Sequence, residues 1–577
     1  MNATVRTDLG GTWYAAQAAP LGRPRLTYDL DVDVCVIGAG LAGLTAAREI
    51  ARRGWSVAVL EARHVAWNAS GRNCGFVVPG FGADIRRMVE RTGLDRAKAL
   101  WQLSEAGVEY VRAAVRDAMP GVEPPSGWLD VSKVDNGDEL LAIATLLQDF
   151  GAEIEGWPTE RVRATLKSDF YFHAIHHPGA FSVDPLAYAY GLANAALADG
   201  AMIFEETPAL AIDPAGVRKR IATPKGQVRA PHVVLAGNAH LGSLAPSLAE
   251  TVLPVTGYVA VSAPLGERLG EAIAYRGAVS DSRHADHHYR VVDGDRLMWA
   301  GSGAIWPPSP QRAARRFTAA ISQVYPQLGA VEFEYAWAGV MGFSLHRMPQ
   351  IGEVVPGLWL ASAFGAHGIN ATAVAGDLIA GAITERDDRW RLFLPYELVW
   401  AGGAFGRALR YVGGWSRRVG EDFAASVARR REAVRRDEAR MPAGEPPAPA
   451  EAVAPVAADS HPMPMAEPPR EALADETVAD AAPTEPAAPG APTADAALVP
   501  EVESLLREAA KVGRHQESER DVADRSHEAE QLSDVPAVSD PSPDKSEPEK
   551  SMGSADRPGD EPDAMPPAHG APKIDPP

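Results

Sequence analysis

The chain has 577 residues, with 56 Lys and Arg against 76 Asp and Glu, a net charge of −20. Residues 441–577 carry 29 acidic and 10 basic side chains, whereas the preceding 440 residues carry 47 and 46. A near-neutral body with an acidic end argues against nucleic acid as a partner through repulsion. Two cysteines, Cys35 and Cys74, exclude a disulfide framework and a cysteine-rich zinc site.

The N-terminus, "MNATVRTDLGGTWY", lacks the apolar run of a signal peptide, which points to a cytoplasmic protein; residues 1–29 read as an N-terminal extension. Val32, Val34, Val36 and Ile37 predict a buried strand. Gly38-Ala39-Gly40-Leu41-Ala42-Gly43 then turns into a helix carrying Leu44, Ala47 and Ile50, which Gly54 ends. Ser56–Leu60 predicts a second strand closing on Glu61. A glycine turn with strand, helix, strand and acid in this order meets the physical requirement for a dinucleotide. The first glycine makes the turn, the second admits pyrophosphate and the third packs helix on strand. The helix N-terminus offers partial positive charge to phosphates, and Glu61 can accept hydrogen bonds from a ribose diol.

"WNASGRNCGF" (Trp67–Phe76) follows, and it carries two signals. Asn68-Ala69-Ser70 fits a glycosylation acceptor, a meaning it loses without a secretory route. Ser70 to Gly75 reads as a small-residue loop that lets backbone approach a ligand closely. Leu358–Ile383 is apolar and long enough to span a bilayer, but His367, Asn370, Asp377 and several glycines favour a buried segment without stable membrane insertion. Residues 396–440 read as a helical segment. Residues 441–577 contain 25 of the 48 prolines and no Phe, Trp, Tyr or Cys, so a disordered acidic tail is expected. Within it, Leu498–Val512 has apolar residues at helical spacing, compatible with a transient helix.

A nicotinamide enzyme would continue after Glu61 with further βα repeats. This chain continues instead with the glycine-rich loop, a long helical region and a second glycine-rich site near residue 365, which favours FAD. Four stretches carry a family likeness: the GAGLAG unit with Glu61, "ASGRNCGF" (Ala69–Phe76), "FSVDPLAYAYGLANAALADGA" (Phe181–Ala201) and "PQIGEVVPGLWLASAFGAHGIN" (Pro349–Asn370). Weaker echoes are His232–Leu244, Leu253–Val261 and Tyr335–Gly339. Over roughly residues 12–426 the sequence resembles the glycine and D-amino-acid oxidase family of FAD-dependent oxidoreductases, especially its gamma-glutamylputrescine oxidoreductase-like branch.

The resemblance implies a mixed α/β fold: a Rossmann-like FAD-binding domain with an inserted antiparallel-sheet substrate domain. It places the FAD-binding domain at 30–95, 180–250 and 335–395, and the substrate domain at 96–179 and 251–334. It also makes Ala69–Phe76 a flavin loop, with Ser70 beside the ring and Arg72 and Asn73 as donors to the flavin or pyrophosphate. Cys74 departs from the branch, which commonly has glycine there; a small buried thiol, a tuner of the flavin and a covalent link to it are all open. Ala62 and Arg63 would extend the ribose end, the strand carrying Ala209 would lie beside the adenine, and Ala236 and Gly237 would close on the dinucleotide. Gly365, His367, Gly368 and Ile369 would bring a helix N-terminus to the flavin pyrimidine, with His367 as a ring-edge donor or a structural histidine.

For the substrate, the resemblance draws attention to Tyr258 and to "DHHYRVV" (Asp286–Val292). Alternation puts His288 and Arg290 on one strand face and His287 and Tyr289 on the other, so one pair can face the flavin. Simple glycine and D-amino-acid oxidases place a carboxylate-binding arginine where this chain has Met341, and Arg347 lies in a place that looks structural. That lowers free amino acids and raises amines, N-substituted amines and gamma-glutamyl polyamines. No lysine occurs between Lys225 and Lys511, which leaves oxygen or another electron acceptor open. The expected enzyme is a flavin amine oxidoreductase acting by hydride transfer and imine hydrolysis. Its rivals are a dehydrogenase of amino acids serving a protein partner, and a redox-responsive body whose acidic tail tethers an unknown protein.

Overall fold

The computed structural model describes residues 11–18, 22–118, 123–281, 287–302 and 309–401. The acidic tail, Leu498–Val512 and all but the start of the 396–440 segment lie outside the described residues, as do residues 1–10, 19–21 and Asp286.

A six-stranded sheet forms the centre, in the order Gln350–Val355, Leu358–Ser362, His232–Leu235, Val34–Ile37, Val57–Leu60, Met202–Phe204. Its neighbours run parallel except at the Gln350–Val355 edge, which is antiparallel. The short β-branched runs explain the parallel core, because both faces are covered. Val34, Val36, Val57 and Val59 point into a large core that also holds the helices Leu41–Arg52, Leu94–Ala118, Pro185–Ala198 and Gly368–Glu385. Cys35, Ile37, Ala58 and Leu60 point the other way, into a core shared with Ile221, Val228 and Ala230 of a four-stranded sheet. Asp184 starts one of these helices: its carboxylate accepts from Leu186 N and Ala187 N at 2.9 Å each, with Pro185 in the first turn.

The apolar stretch Leu358–Ile383 is divided between the strand Leu358–Ser362 and the helix Gly368–Glu385. Among the described residues, no helix is long and apolar enough to cross a membrane.

A nine-stranded sheet lies over this unit. It runs Phe333–Phe343, Leu253–Ser262, Arg296–Ser302, His288–Val292, Ala278–Ser280, Ser126–Val131, Ala174–Ser182, Phe76–Val77, with Glu155–Trp157 paired beside Ala174–Ser182. All pairs are antiparallel except Ala278–Ser280 with Ser126–Val131. Both insertion segments therefore contribute strands to one sheet, which continues into Phe76–Val77 and Phe333–Phe343. Val259 and Val261 face the large core, while Tyr258 and Ala260 face a second core under the helix Pro310–Val324.

Candidate functional site

The dinucleotide end is built from the turn at Gly38. Gly38 has φ +108°, and a Cβ there would meet Ala236 O at 2.8 Å, so this position needs glycine for both reasons. Gly43 packs the helix against the strand so closely that a Cβ would stand 2.0 Å from Gly38 O. Gly40 is the N-cap of Leu41–Arg52 and supplies no side-chain cap; Leu41 N donates to Ser70 Oγ at 3.0 Å. Ala42 is buried in the same first turn. Glu61 closes the second strand, accepting from Ala39 N at Oε2 and Arg63 N at Oε1, both at 2.8 Å. Burial pushes its carboxyl up, against these two donors. A carboxylate has further lone pairs for a ribose hydroxyl. Ala62 and Arg63 are exposed, and the Arg63 guanidinium lies 4.2 Å over the Trp67 ring.

The flavin-loop residues behave less uniformly than expected. Asn73 spends its amide inside the loop: Nδ2 donates to Ala69 O at 2.9 Å and Ser70 O at 3.0 Å, and Oδ1 accepts from Gly75 N. Both protons of the Asn73 side-chain amide are thus directed at backbone carbonyls of the loop. Arg72 is also buried; Nε donates to Trp67 O at 2.9 Å and Nη1 to Ala338 O at 3.3 Å, tying the loop to the large sheet. Asn68 faces the same strand, its Oδ1 accepting from Val340 N at 3.0 Å. Burial pushes the Cys74 thiol up to about 12, so it is a protonated thiol, not a thiolate, at physiological pH.

Ala236 N donates to Ile37 O at 2.9 Å, and Gly237 begins the next turn. Ala209 is a correction of position: it is not in a strand but precedes the strand Ala211–Asp213, partly buried against the core beside the small sheet. Gly365 turns at φ +65°, and His367 is the N-cap of Gly368–Glu385 without a side-chain cap. A Cβ on Gly368 would meet nothing within 4 Å, and Ile369 is buried. His367 Nδ1 is buried without a hydrogen-bond partner, and burial holds its imidazole down at about 4. Two helix N-termini whose N-cap residues supply no side-chain cap, a glycine cradle, the ribose-end carboxylate and this orphaned nitrogen fit a bound dinucleotide flavin.

His367 also belongs to a wall of rings. It stacks on Trp128 with centroids 6.4 Å apart. Trp128 meets Phe76 at 5.4 Å and His288 at 6.0 Å, and Phe76 meets His288 at 5.9 Å. His177 is the cross-strand partner of Trp128; burial, with the neighbouring His176 as a lesser cause, holds it down at about 4 as well. Nothing local in the sequence marks Phe76, Trp128 and His177 as site residues. The alternating strands "GWLDV" and "AIHHPGAFS" were the available signal, but their facing and pairing are long-range.

Among the other substrate candidates, Arg290 shares the His288 strand and is buried, its Nη2 donating to Val183 O at 3.0 Å. Tyr258 is not brought to the ring wall: it lies in the second core with Tyr289, Trp299 and Phe317. His287 and Tyr289 turn the same way, His287 accepting from Trp299 Nε1 at 3.0 Å and Tyr289 stacking on Trp299 at 4.4 Å. Met341 is half-buried on Phe333–Phe343, with its Cε 3.0 Å from where a Gly257 Cβ would lie. Arg347 is a turn residue at φ +63°.

Residues 33–382 match the model of the family described as DAO, FAD dependent oxidoreductase. The chain belongs to this family. As a DAO-family protein it is an FAD-dependent oxidoreductase. It is 30% identical over 404 residues to a gamma-glutamylputrescine oxidoreductase of Escherichia coli, covering 68% of this chain and 93% of that one. It is 28% identical over 378 residues to a Haemophilus influenzae protein named "Probable oxidoreductase OrdL", covering 64% and 87%. Among solved structures, L-proline dehydrogenase from P. horikoshii shares the fold with a TM-score of 0.54 and 19% identity, over 64% of this chain and 98% of that one. Glycine oxidase from Geobacillus kaustophilus does so with a TM-score of 0.53 and 20% identity, over 62% and 96%.

Proposed function

We propose that this flavoenzyme oxidises a C–N bond of an amine, an N-substituted amine or a gamma-glutamyl polyamine, with oxygen or an external electron acceptor as second substrate. The observation that carries the reading is the ring wall: Phe76 and Trp128 packed with His288 and His367, with His177 the cross-strand partner of Trp128, in which burial keeps His177 and His367 neutral. FAD, when bound, supplies the acceptor for a hydride from the carbon beside nitrogen. A protonated amine has no lone pair to assist that loss, so the pocket must favour the neutral form. Aromatic walls and desolvation favour it without a dedicated base. A neutral imidazole at His367 can accept the amine N–H and orient the substrate. The imine product is then hydrolysed by water to carbonyl and amine.

The residue assignments around Gly38–Gly43, Glu61–Arg63, the loop Ser70–Cys74 and Gly365–Ile369 are part of this proposal, as is the division into FAD-binding and substrate segments. The E. coli relative's name adds weight to the polyamine class. Methionine at 341, where an arginine would clamp a carboxylate, favours amines over amino acids by about 1.5–3 kcal/mol, roughly tenfold to over a hundredfold in kcat/KM. The test compares glycine, sarcosine, D-alanine, putrescine and gamma-glutamylputrescine in the wild type and in Met341→Arg. Weak native activity on the amino acids and a gain in the variant support the reading. Strong native D-alanine oxidation, lost in Arg290→Ala, overturns it.

A further inference from the structure

Residues 12–18, "TWYAAQA", lie within the segment 1–29 that reads from the sequence as an N-terminal extension. In the structure, Tyr14 is fully buried. Its hydroxyl donates to Asn73 O at 3.0 Å and touches Met298 Sδ at 3.4 Å, and its ring packs edge-on against Trp337 at 5.6 Å. Trp337 Nε1 donates to Arg72 O at 2.9 Å. Two successive carbonyls of the cofactor loop are therefore each held by an aromatic donor, one from the N-terminal segment and one from the large sheet. Val183 holds the next part of the loop: its N donates to Gly75 O at 2.8 Å, and its own carbonyl accepts from Arg290 Nη2. The segment carrying Tyr14 is itself fixed by a turn, with Ala15 N donating to the buried Thr12 Oγ1 at 3.0 Å and Ala18 N to Tyr14 O at 3.1 Å.

We propose that residues 12–18 are a clamp on the cofactor loop, and that Tyr14 is a positioning residue whose hydroxyl sets the path of Cys74–Phe76 beside the flavin. The physical cause is the cost of stranding a buried carbonyl. Without the donor, Asn73 O must find water or move, and the loop then has to be ordered by the cofactor itself. The burden falls on FAD affinity as well as on fold stability, which distinguishes a clamp from an ordinary core tyrosine.

The test uses Tyr14→Phe in the full-length protein, which keeps the ring and removes the hydroxyl. Tyr289→Phe is the control, because it deletes an equally buried hydroxyl from the Tyr289–Tyr325 pair (2.8 Å) in the second core. Thr12→Val is a milder second variant that loosens the turn beneath Tyr14 and serves if Tyr14→Phe does not fold. Apo protein from each is titrated with FAD by flavin fluorescence, and visible circular dichroism reads the environment of the bound ring. The clamp predicts FAD affinity lowered about fivefold to a hundredfold in Tyr14→Phe, the range for a stranded buried acceptor. It also predicts an altered visible spectrum, a smaller change of the same kind in Thr12→Val, and unchanged affinity in Tyr289→Phe. Unchanged FAD affinity and visible spectrum in Tyr14→Phe, or in Thr12→Val if that alone folds, overturn the proposal. Equal changes in Tyr14→Phe and Tyr289→Phe overturn it too.

Discussion

The dinucleotide cradle and the ring wall are specified in different ways. Gly38, Gly40, Gly43 and Glu61 lie within one strand–helix–strand unit, and each is constrained by atoms close by in sequence or by one crossing contact. The wall collects Phe76, Trp128, His177, His288 and His367 from separate segments, which meet through sheet pairing and the turn before Gly368. A site of the first kind is rigid against small changes of side chain elsewhere but intolerant at its glycines. A site of the second kind can change its substrate by substituting one ring, because no single local motif holds it.

The largest effect that sharpens this contrast is at Gly43. Gly43→Val would place carbon into Gly38 O, a backbone atom that cannot rotate away, and should cost more than about 3 kcal/mol, seen as a lower denaturation midpoint. Gly40→Val meets the Ser70 hydroxyl at 2.8 Å, which can swing aside. That variant should fold yet purify without flavin colour. Equal stability for both substitutions would break the claim that the third glycine is a packing position and the second a ligand position.

Next in size is Glu61. Glu61→Ala removes the acceptor for Ala39 N and Arg63 N and should weaken FAD by about 1–3 kcal/mol in a calorimetric titration of apo protein. Glu61→Gln keeps one acceptor oxygen and should lose less. Unchanged affinity in both would mean that another residue holds the ribose.

The last effect concerns the wall and is read as a dependence on pH. Burial lowers the His177 and His367 imidazoles from 6.5 to about 4. Below pH 6.5 the unfolded chain takes up protons that the native histidines refuse. Stability should therefore fall as the pH drops from 6.5 towards 4 and level off below that. Replacing either residue by Asn should flatten the fall in Tm across this window; an unaltered slope would show that these rings do not titrate as buried groups.

The sequence displayed the cradle because its chemistry is local: periodic apolar residues, glycines at fixed offsets and a terminal acid. It also argued against a bilayer span for Leu358–Ile383, since His367 and Asp377 do not suit one. Strand alternation correctly separated His288 and Arg290 from His287 and Tyr289. The same rule could not say where Tyr258 would point, because the facing of Leu253–Ser262 depends on its register with Phe333–Phe343. Trp128 and His177 were hidden for the same reason, and so was Tyr14, whose partner Asn73 lies 59 residues away. The family resemblance makes Arg72 and Asn73 donors to a ligand; the structure shows their side chains also bonding the loop carbonyls of Trp67, Ala69 and Ser70 and, from Arg72, Ala338 O of the large sheet.

The central claim is that a neutral ring wall presents a neutral amine to FAD. Anaerobic reduction of the enzyme-bound flavin, followed by loss of its visible absorbance against pH, tests this without involving the electron acceptor. With putrescine, gamma-glutamylputrescine and sarcosine, the reduction rate at subsaturating substrate should rise with pH towards the substrate's own amine pKa, and should exceed the rate with D-alanine. Bleaching that is fastest with D-alanine, or that does not change with pH across this range, would contradict the account.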